Sequence, residues 1–224
     1  LMTKLNDCPF RVGTTGTLDG TDTHKLVIEG LFGPVYKVTT TTELIEKDLL
    51  SDLKIDCILL KYPEEECKSV KTFSYQEEID YIVSNERRNE FLRNLALNTK
   101  GNTLVLFQYV QKHGKILFDL IQNSVKNDRK VFFIHGGTDV HQREEIRKLT
   151  EGEENAIIVA SYGTFSTGVS IRRLHNIIFA SPSKSRIRVL QSIGRQLRKS
   201  KYKECAKLYD VADDLQWKSH QNYT

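Results

Sequence analysis

The chain has 224 residues, of which 39% are hydrophobic and 28% are charged, with a formal net charge of +4. This composition suffices for one large folded domain and excludes an intrinsically disordered tail. No apolar run reaches the ~18 residues of a transmembrane helix, and the first residues lack the regions of a signal peptide, so we expect no membrane partner and a cytoplasmic location.

The first hundred residues give a mixed pattern. Their predicted elements are, in order, a loop at 11–22, a segment at 25–40 that ends in a β-rich stretch containing Gly33-Pro34, a helix at 41–53, a strand at 54–63, an exposed loop or hairpin at 62–73 and a helix pair at 75–98.

The following residues alternate between short apolar runs and amphipathic segments. Strands are predicted at 103–109, 130–137, 155–161, 175–181 and 206–213, and helices at 113–125, 140–152 and 185–200. Because the strands are continuously apolar, the pattern predicts an α/β fold with a parallel sheet covered by helices on both faces. Ligands bind such sheets beyond the carboxyl ends of the strands. The expected site therefore comprises the loops at 108–112, 135–140, 161–170, 181–185 and 210–215.

The cysteines and histidines predict no metal site. Four widely spaced cysteines form no CxxC pair, and six histidines show no HxxxH or HExxH spacing. His135 and His141 flank a predicted turn, and we interpret them as a loop histidine and a helix-surface histidine.

The segment QSIGRQLRKS, residues 191–200, concentrates positive charge on a predicted helix. Gln191, Arg195 and Arg198 share one helical face. Residues 183–203 contain eight basic and no acidic side chains. Arginine forks match phosphate oxygens, so this face can bind a phosphate group. A solvated basic helix face is the alternative interpretation.

Glycine in the middle of this helix requires an explanation, because it lowers helix stability by about 1 kcal/mol. Gly194 falls in an apolar stripe with Ile187, Leu190 and Leu197, which we expect to pack on the sheet. The glycine thus predicts a close approach of another backbone.

A loop rich in small residues, ASYGTFSTGVSI at 160–171, follows a predicted buried strand. Its exposed N–H groups and hydroxyls can approach a phosphate or a ribose. Alone this is a weak signal, but the strand order places the loop at the same edge of the sheet as the arginine helix.

Taken together, these motifs resemble the second RecA-like domain of superfamily 2 helicases. QSIGRQLR resembles motif VI (QxxGRxxR), ASYGTFSTGVSI motif V, TLVLFQY motif IV and RVGTTGTLDG motif III, while FIHGGTDVHQR resembles the HG turn of the family. The resemblance is strongest to the branch that includes the excision-repair and phage recombination helicases. It implies that residues 1–32 end a first RecA-like domain and that residues 33–224 form the second.

Catalytic and nucleotide-binding roles follow from this resemblance. Arg195 and Arg198 would contact the γ-phosphate of ATP, with Arg198 as the arginine finger, and Gln191 would orient the attacking water or the phosphate. The resemblance places Gly168 and Ser170 near the ribose, and it implies that Thr15 and Thr17 link the ATP state to strand movement.

Nucleic-acid contacts are implied by position within the same motifs. The candidates are Gln108, Tyr109, Arg143, Ser161 and Lys184. We interpret Phe107 as a core residue, and the pair Asp213-Asp214 as a surface turn.

The chain lacks a P-loop, GxxxxGK[ST], and a DExH or DEAD box. ATP and Mg²⁺ would therefore be held mainly by a first RecA-like domain, and this chain alone is predicted not to hydrolyse ATP. The resemblance implies a larger ATP-dependent DNA helicase or translocase, located in the host cytoplasm if phage-encoded. It would act on single strands and branched junctions in recombination, repair and replication-fork processing.

Two other functions remain open from the residues. The chain can be a non-catalytic nucleic-acid-binding module that retains helicase-like loops. It can also be an independent α/β enzyme for a small phosphorylated substrate, although the sequence offers no general base or phosphate loop for that role.

Overall fold

A parallel sheet organises the chain. The computed structural model describes residues 8–15, 22–126, 129–167, 171, 173–183, 192–194, 197, 199 and 205–215. These residues form one six-stranded sheet in the order β1-β6-β5-β2-β4-β3, with all neighbouring strands parallel. The strands are β1 (Asp52–Lys61), β2 (Thr103–Phe107), β3 (Val131–Ile134), β4 (Ile157–Ser161), β5 (Asn176–Phe179) and β6 (Cys205–Asp214). The predicted α/β class with a parallel sheet is confirmed.

Helices connect most of the strands. They are α1 (Asp22–Phe32), α2 (Thr41–Glu46), α3 (Glu64–Ser69), α4 (Tyr75–Ser84), α5 (Glu86–Asn98), α6 (Lys115–Ser124), α7 (Val140–Gly152) and α8 (Tyr162–Thr167). A 3₁₀-helix, Val70–Thr72, follows α3, and a π-helix, Val110–Gly114, precedes α6. The predicted helix pair at 75–98 is confirmed as α4 and α5. Its boundaries follow from a capping box between Ser74 and Glu77 and from the Asn85 side chain, which accepts from the N–H of Arg88.

Two apolar clusters cover the two faces of the sheet. On one face, Val105 packs with Leu92 of α5 and Leu117 of α6. On the other face, Leu104 packs in a cluster that Ile146 of α7 adjoins. The central strands are buried on both sides, which explains why their sequences are continuously apolar.

The β-rich end predicted for residues 25–40, with Gly33-Pro34 in it, is wrong, because residues 33–40 form no strand and follow a helix. Residues Asp22–Phe32 form helix α1, which begins with an acidic residue in its first turn. Gly33 ends the helix with a φ of 87°, and its N–H donates to the carbonyl of Glu29 at 2.8 Å. A left-handed glycine followed by Pro34 is a helix stop, which the alternating apolar residues obscured.

Two further predictions in this region need correction. The helix predicted at 41–53 ends at Glu46, and Asp48 has a left-handed φ of 58°. The predicted loop or hairpin at 62–73 is instead α3 and the 3₁₀-helix. Three glutamates in the first turn of α3 favour its amino end. Cys67 and Val70 are buried in a small cluster with Ile82, which fixes this segment against α4.

Asp213 is not part of a surface turn, as the sequence predicted, but is buried in β6. Its Oδ1 accepts from Nε of Arg88 at 2.8 Å and from the hydroxyl of Tyr62 at 2.6 Å. The two charged side chains are 1% and 0% exposed. Nη1 of Arg88 also donates to the carbonyl of Ala180 at 2.7 Å. One guanidinium therefore joins α5 to the ends of β5 and β6.

We expect the single substitutions Arg88→Met and Asp213→Asn to lower the free energy of unfolding by about 3–5 kcal/mol each, because each leaves a buried group without its partner. The double variant should lose much less than the sum of both. Arg88 Nη2 and Asp213 Oδ2 already have no hydrogen-bond partner among the described residues, so the pair does not fully offset its desolvation.

Urea denaturation of the chain measures these values. Lys68→Met is the matched control, because the Lys68–Glu64 ion pair is solvent-exposed on both sides and should contribute little. Additive losses in the double variant would contradict a coupled buried pair.

Candidate nucleotide and nucleic-acid site

The carboxyl ends of the central strands bring several predicted residues to one edge of the sheet. Gln108 and Tyr109 directly follow β2. Ser161 ends β4 and lies opposite Phe107 of β2 in the parallel register. Ser181 lies two residues beyond β5, whose neighbour is also β2. The predicted convergence of these loops is therefore confirmed for the part of the edge that the structure describes.

A π-helix shapes the loop that follows β2. The N–H groups of His113 and Gly114 both donate to the carbonyl of Tyr109, at 3.2 and 2.9 Å. π-Helical turns are rare in proteins overall, but those that occur lie frequently at functional sites. Gly114 lies against the ring of Phe107, and a Cβ at this position would come within 2.5 Å of that ring. Only glycine fits here without displacing the core.

His113, at the end of this π-helix, is fully buried in a directional chain of hydrogen bonds. The amide of Asn89 donates to the carbonyl of Val83 at 3.0 Å, which leaves its Oδ1 as the acceptor for Nε2 of His113 at 3.1 Å. Nδ1 then accepts from the hydroxyl of Ser181 at 2.8 Å. The same hydroxyl oxygen accepts from the N–H of Gln108 at 3.0 Å.

The surroundings of His113 keep its imidazole neutral. Burial first, and then the nearby Arg88 cation, lower the pKa of His113 to about 3. A neutral ring with one donor and one acceptor matches the two hydrogen bonds that it makes. The residue therefore serves as a fixed connector between the loops and does not exchange protons near neutral pH.

The loop after β5 is held at neighbouring backbone atoms as well. The hydroxyl of Tyr162 donates to the carbonyl of Ser181 at 3.0 Å, and Arg88 donates to the adjacent carbonyl of Ala180. Burial, followed by the charge of Asp210, raises the pKa of Tyr162, which keeps its hydroxyl protonated as a donor. These bonds fix the start of the segment that leads toward the predicted arginine helix.

The predicted nucleic-acid contacts differ in exposure. The side chain of Gln108 is exposed, and Tyr109 is half-buried. Ser161 is buried, and its hydroxyl bonds to that of Thr164 at 2.8 Å within the first turn of α8. Phe107 is fully buried and stacks on Phe133 at 5.6 Å between ring centroids, which confirms its interpretation as a core residue.

Arg143 braces the turn that follows β3. Its Nε donates to the carbonyl of Thr138 at 2.8 Å, and its Nη2 donates to the carbonyl of Gly136 at 2.9 Å. His135 starts this turn and accepts from the N–H of Gly137, whereas His141 is exposed on α7. The interpretation of these two histidines is thus confirmed, and Arg143 has a clear structural role.

Most of the remaining predicted site residues lie outside the described residues. Thr15 is exposed in the segment 8–15. The other predicted residues of the nucleotide site and one nucleic-acid candidate lie outside the described residues; they are Thr17, Gly168, Ser170, Lys184, Gln191, Arg195 and Arg198.

The described part of the arginine helix packs differently from the predicted stripe. Residues 192–194 are helical, Leu197 is buried, and Ile193 packs against the apolar cluster of one sheet face. Gly194 is exposed, and a Cβ there would meet no described atom within 4 Å. Among the described residues, no backbone makes the expected close approach to Gly194. The carbonyl of Leu197 accepts from the N–H of Ser51 at 2.9 Å, which ties this helix to the start of β1.

Sequence reasoning missed the buried polar residues beneath the edge, above all His113 and Ser181. The available signals were a His-Gly pair six residues after the end of a buried strand and a serine two residues after the end of another. Within the described residues, no group of three or more His, Cys, Asp or Glu side chains is arranged to hold a metal ion. No helix among them is long and apolar enough to cross a membrane.

Comparison with known sequences identifies a family match and two relatives. Residues 87–200 match the model of the helicase conserved C-terminal domain. The chain is 39% identical over 216 residues to the ATP-dependent DNA helicase uvsW of Enterobacteria phage T4, covering 95% of this chain and 42% of that protein. It is 25% identical over 228 residues to the putative ATP-dependent RNA helicase L396 of Acanthamoeba polyphaga mimivirus, covering 96% and 41%. The chain thus spans about two fifths of the length of these relatives.

Solved structures show the same fold. The crystal structure of T4 UvsW matches with a TM-score of 0.63 and 37% identity, covering 87% of this chain and 37% of that chain. Dbp5 of S. cerevisiae, bound to RNA and ADP BeF3, matches with a TM-score of 0.54 and 14% identity, covering 90% and 45%, a likeness of fold alone. The predicted RecA-like fold is confirmed.

The buried imidazole predicts a specific acid sensitivity. The unfolded chain protonates His113 below pH 6.5, whereas the folded chain does so only near pH 3, so acidification favours unfolding. Between these values the free energy of unfolding should fall by up to about 1.4 kcal/mol per pH unit from this group. Urea denaturation at pH 4.5 to 7.5 should show this slope in the parent chain and not in His113→Gln. Parallel curves for the two proteins would contradict the assignment, since all other titrating groups are shared.

Proposed function

Because the chain belongs to the family of helicase conserved C-terminal domains, we propose that it is the second RecA-like motor domain of an ATP-dependent DNA helicase or translocase. The observation that carries the proposal is the parallel sheet with the loops of the family motifs at its carboxyl edge. Motif IV contains β2 and the two residues after it, motif V begins with the last two residues of β4, and the motif VI helix follows β5 in the chain.

The proposal places ATP between this domain and a preceding one. The 224 residues contain neither a P-loop nor a DExH box, so we assign the main contacts to ATP and Mg²⁺ to a first RecA-like domain, of which residues 1–32 would be the end. Residues 33–224 would form the second domain. Bound Mg²⁺ would neutralise charge on the phosphates. On this proposal the chain alone does not hydrolyse ATP.

The motif VI residues would complete the site from this side. Arg195 and Arg198 would donate to the γ-phosphate as negative charge develops there, and Gln191 would orient the attacking water or the phosphate. Gly168 and Ser170 would lie near the ribose, and Thr15 and Thr17 would link the ATP state to strand movement. The buried contacts of Ile193 and Leu197 support this arrangement, because they fix the helix on the sheet.

Nucleic acid would bind along the same edge. Exposure favours Gln108 and Tyr109 as direct contacts. Lys184 is a further candidate by its position in the sequence. Arg143 and Ser161 would act by shaping their loops, because Arg143 donates to two carbonyls of its own turn and the buried hydroxyl of Ser161 bonds to that of Thr164. We propose DNA rather than RNA, and single strands and branched junctions as substrates, hence a role in recombination, repair and replication-fork processing. The similarity to a phage DNA helicase supports this choice and a location in the host cytoplasm.

The first test concerns the arginine finger. In the full-length enzyme, Arg198→Ala should lower DNA-stimulated ATP turnover by about 10³–10⁵-fold while DNA binding is nearly unchanged. Arg198→Lys should recover little, because lysine lacks the planar fork. Arg87→Ala is the control, since that side chain is 82% exposed on α5. Unchanged turnover in Arg198→Ala would remove the finger assignment.

The second test concerns strand binding by this chain. Affinity for a single-stranded DNA oligonucleotide should fall with salt, with a log–log slope of about −0.7 for each phosphate contact. Lys184→Ala should make the slope shallower by about that amount. An equal affinity for the matching RNA would contradict the choice of DNA. Salt-sensitive binding without ATPase, after a P-loop domain is supplied, would instead support a non-catalytic binding module.

A further inference from the structure

We propose that His113 is a positioning residue that couples nucleic-acid contact at the end of β2 to the loop that leads into the motif VI helix. This inference rests on the proposed function, because it assigns a route between the two parts of that site. His113 would act through Ser181 and would touch neither ATP nor the strand.

The route depends on one hydroxyl group. Ser181 Oγ accepts from the backbone N–H of Gln108 and donates to Nδ1 of His113, at 3.0 and 2.8 Å. His113 and Ser181 are 0% and 2% exposed. A movement of either loop relative to the other must break a buried hydrogen bond and leave a polar group unsatisfied, which costs about 1–3 kcal/mol. The two loops therefore move together.

The far side of the ring is anchored to the helical layer. Nε2 of His113 bonds to Asn89 of α5, and the preceding residue of that helix, Arg88, donates to the carbonyl of Ala180. The His113 ring and the Ala180 carbonyl are thus both bonded to α5. Because α5 holds both groups in place, a displacement of Gln108 by a bound strand would move the segment after Ser181 and would not be taken up by a movement of α5.

The π-helix supports a functional role over a purely stabilising one. An ordinary α-helical turn would make the usual hydrogen bonds, and an apolar side chain would fill the interior at lower desolvation cost. The wide turn is what carries His113 between the loops after β2 and β5, directly below the edge where both ligands are proposed to bind.

The test uses the full-length enzyme, ATP and a single-stranded DNA oligonucleotide. His113→Phe and Ser181→Ala remove the connection in different ways. Each should lower the turnover at saturating DNA about tenfold, within the 5- to 150-fold range of coupling between sites. The DNA concentration for half-maximal stimulation should change less than about threefold, because neither residue contacts the strand. The double variant should lose no more than about tenfold, since one connection is removed.

A matched control separates coupling from stability. Thr99→Val also removes buried hydrogen bonds, those of Thr99 Oγ1 to the carbonyl of Ala96 and to Thr103 Oγ1, both at 2.8 Å, at the opposite edge of the sheet. It should lower the melting temperature as Ser181→Ala does and leave stimulation unchanged. His113→Gln, which keeps a donor and an acceptor, should recover part of the turnover.

The outcomes are distinguishable. If Ser181→Ala and His113→Phe match Thr99→Val in stimulation, the inference is overturned while the proposed function stands. If the parent enzyme shows no DNA-stimulated hydrolysis, the proposed function fails and the inference fails with it. Should His113→Phe not fold, Ser181→Ala decides alone.

Discussion

The buried guanidinium of Arg88 is the interaction on which this edge of the protein depends. It joins α5 to Asp213 at the end of β6 and to the carbonyl of Ala180 after β5, and its charge helps to keep His113 neutral. A charge this deep is tolerated only because a carboxylate and a carbonyl replace its water. Because Arg88 is buried, a small displacement breaks a hydrogen bond that water cannot replace. The groups around Arg88 therefore hold one defined arrangement.

The sequence predicted the second half of the fold well because the sheet is parallel and buried. Strands covered on both faces are apolar over most of their length, so β2, β4 and β5, each with one polar residue at an end, were recognisable from composition alone. The prediction failed at residues 25–40 for the opposite reason. Helix α1 has no buried residue, so its apolar side chains follow no packing requirement and the helix period was not evident.

The residues of the candidate site were also predicted only in part, for a similar reason. Motif residues such as Gln108 were located correctly because they follow recognisable strands. The buried polar residues were missed because their partners are distant in the chain. Asp213 was placed on the surface since its neighbours in sequence resemble a turn, whereas Arg88, its partner, lies 125 residues earlier. A pattern of residue types contains no information about such a pairing until the topology brings β6 beside β5.

Buried polar groups serve different purposes at the two edges of the sheet. At the amino edge, the side chain of Asn102 bonds to the carbonyls of Thr150, Glu153 and Arg173, which joins the start of β2 to the end of α7 and to the loop before β5. At the carboxyl edge, the connection passes through a rotatable hydroxyl and a ring with two distinct nitrogens. Packed cores change between discrete arrangements and not by continuous deformation. A chain of single hydrogen bonds is therefore suited to a change between two arrangements of the loops. The Asn102 carboxamide, bonded to several carbonyls, is suited to hold one arrangement.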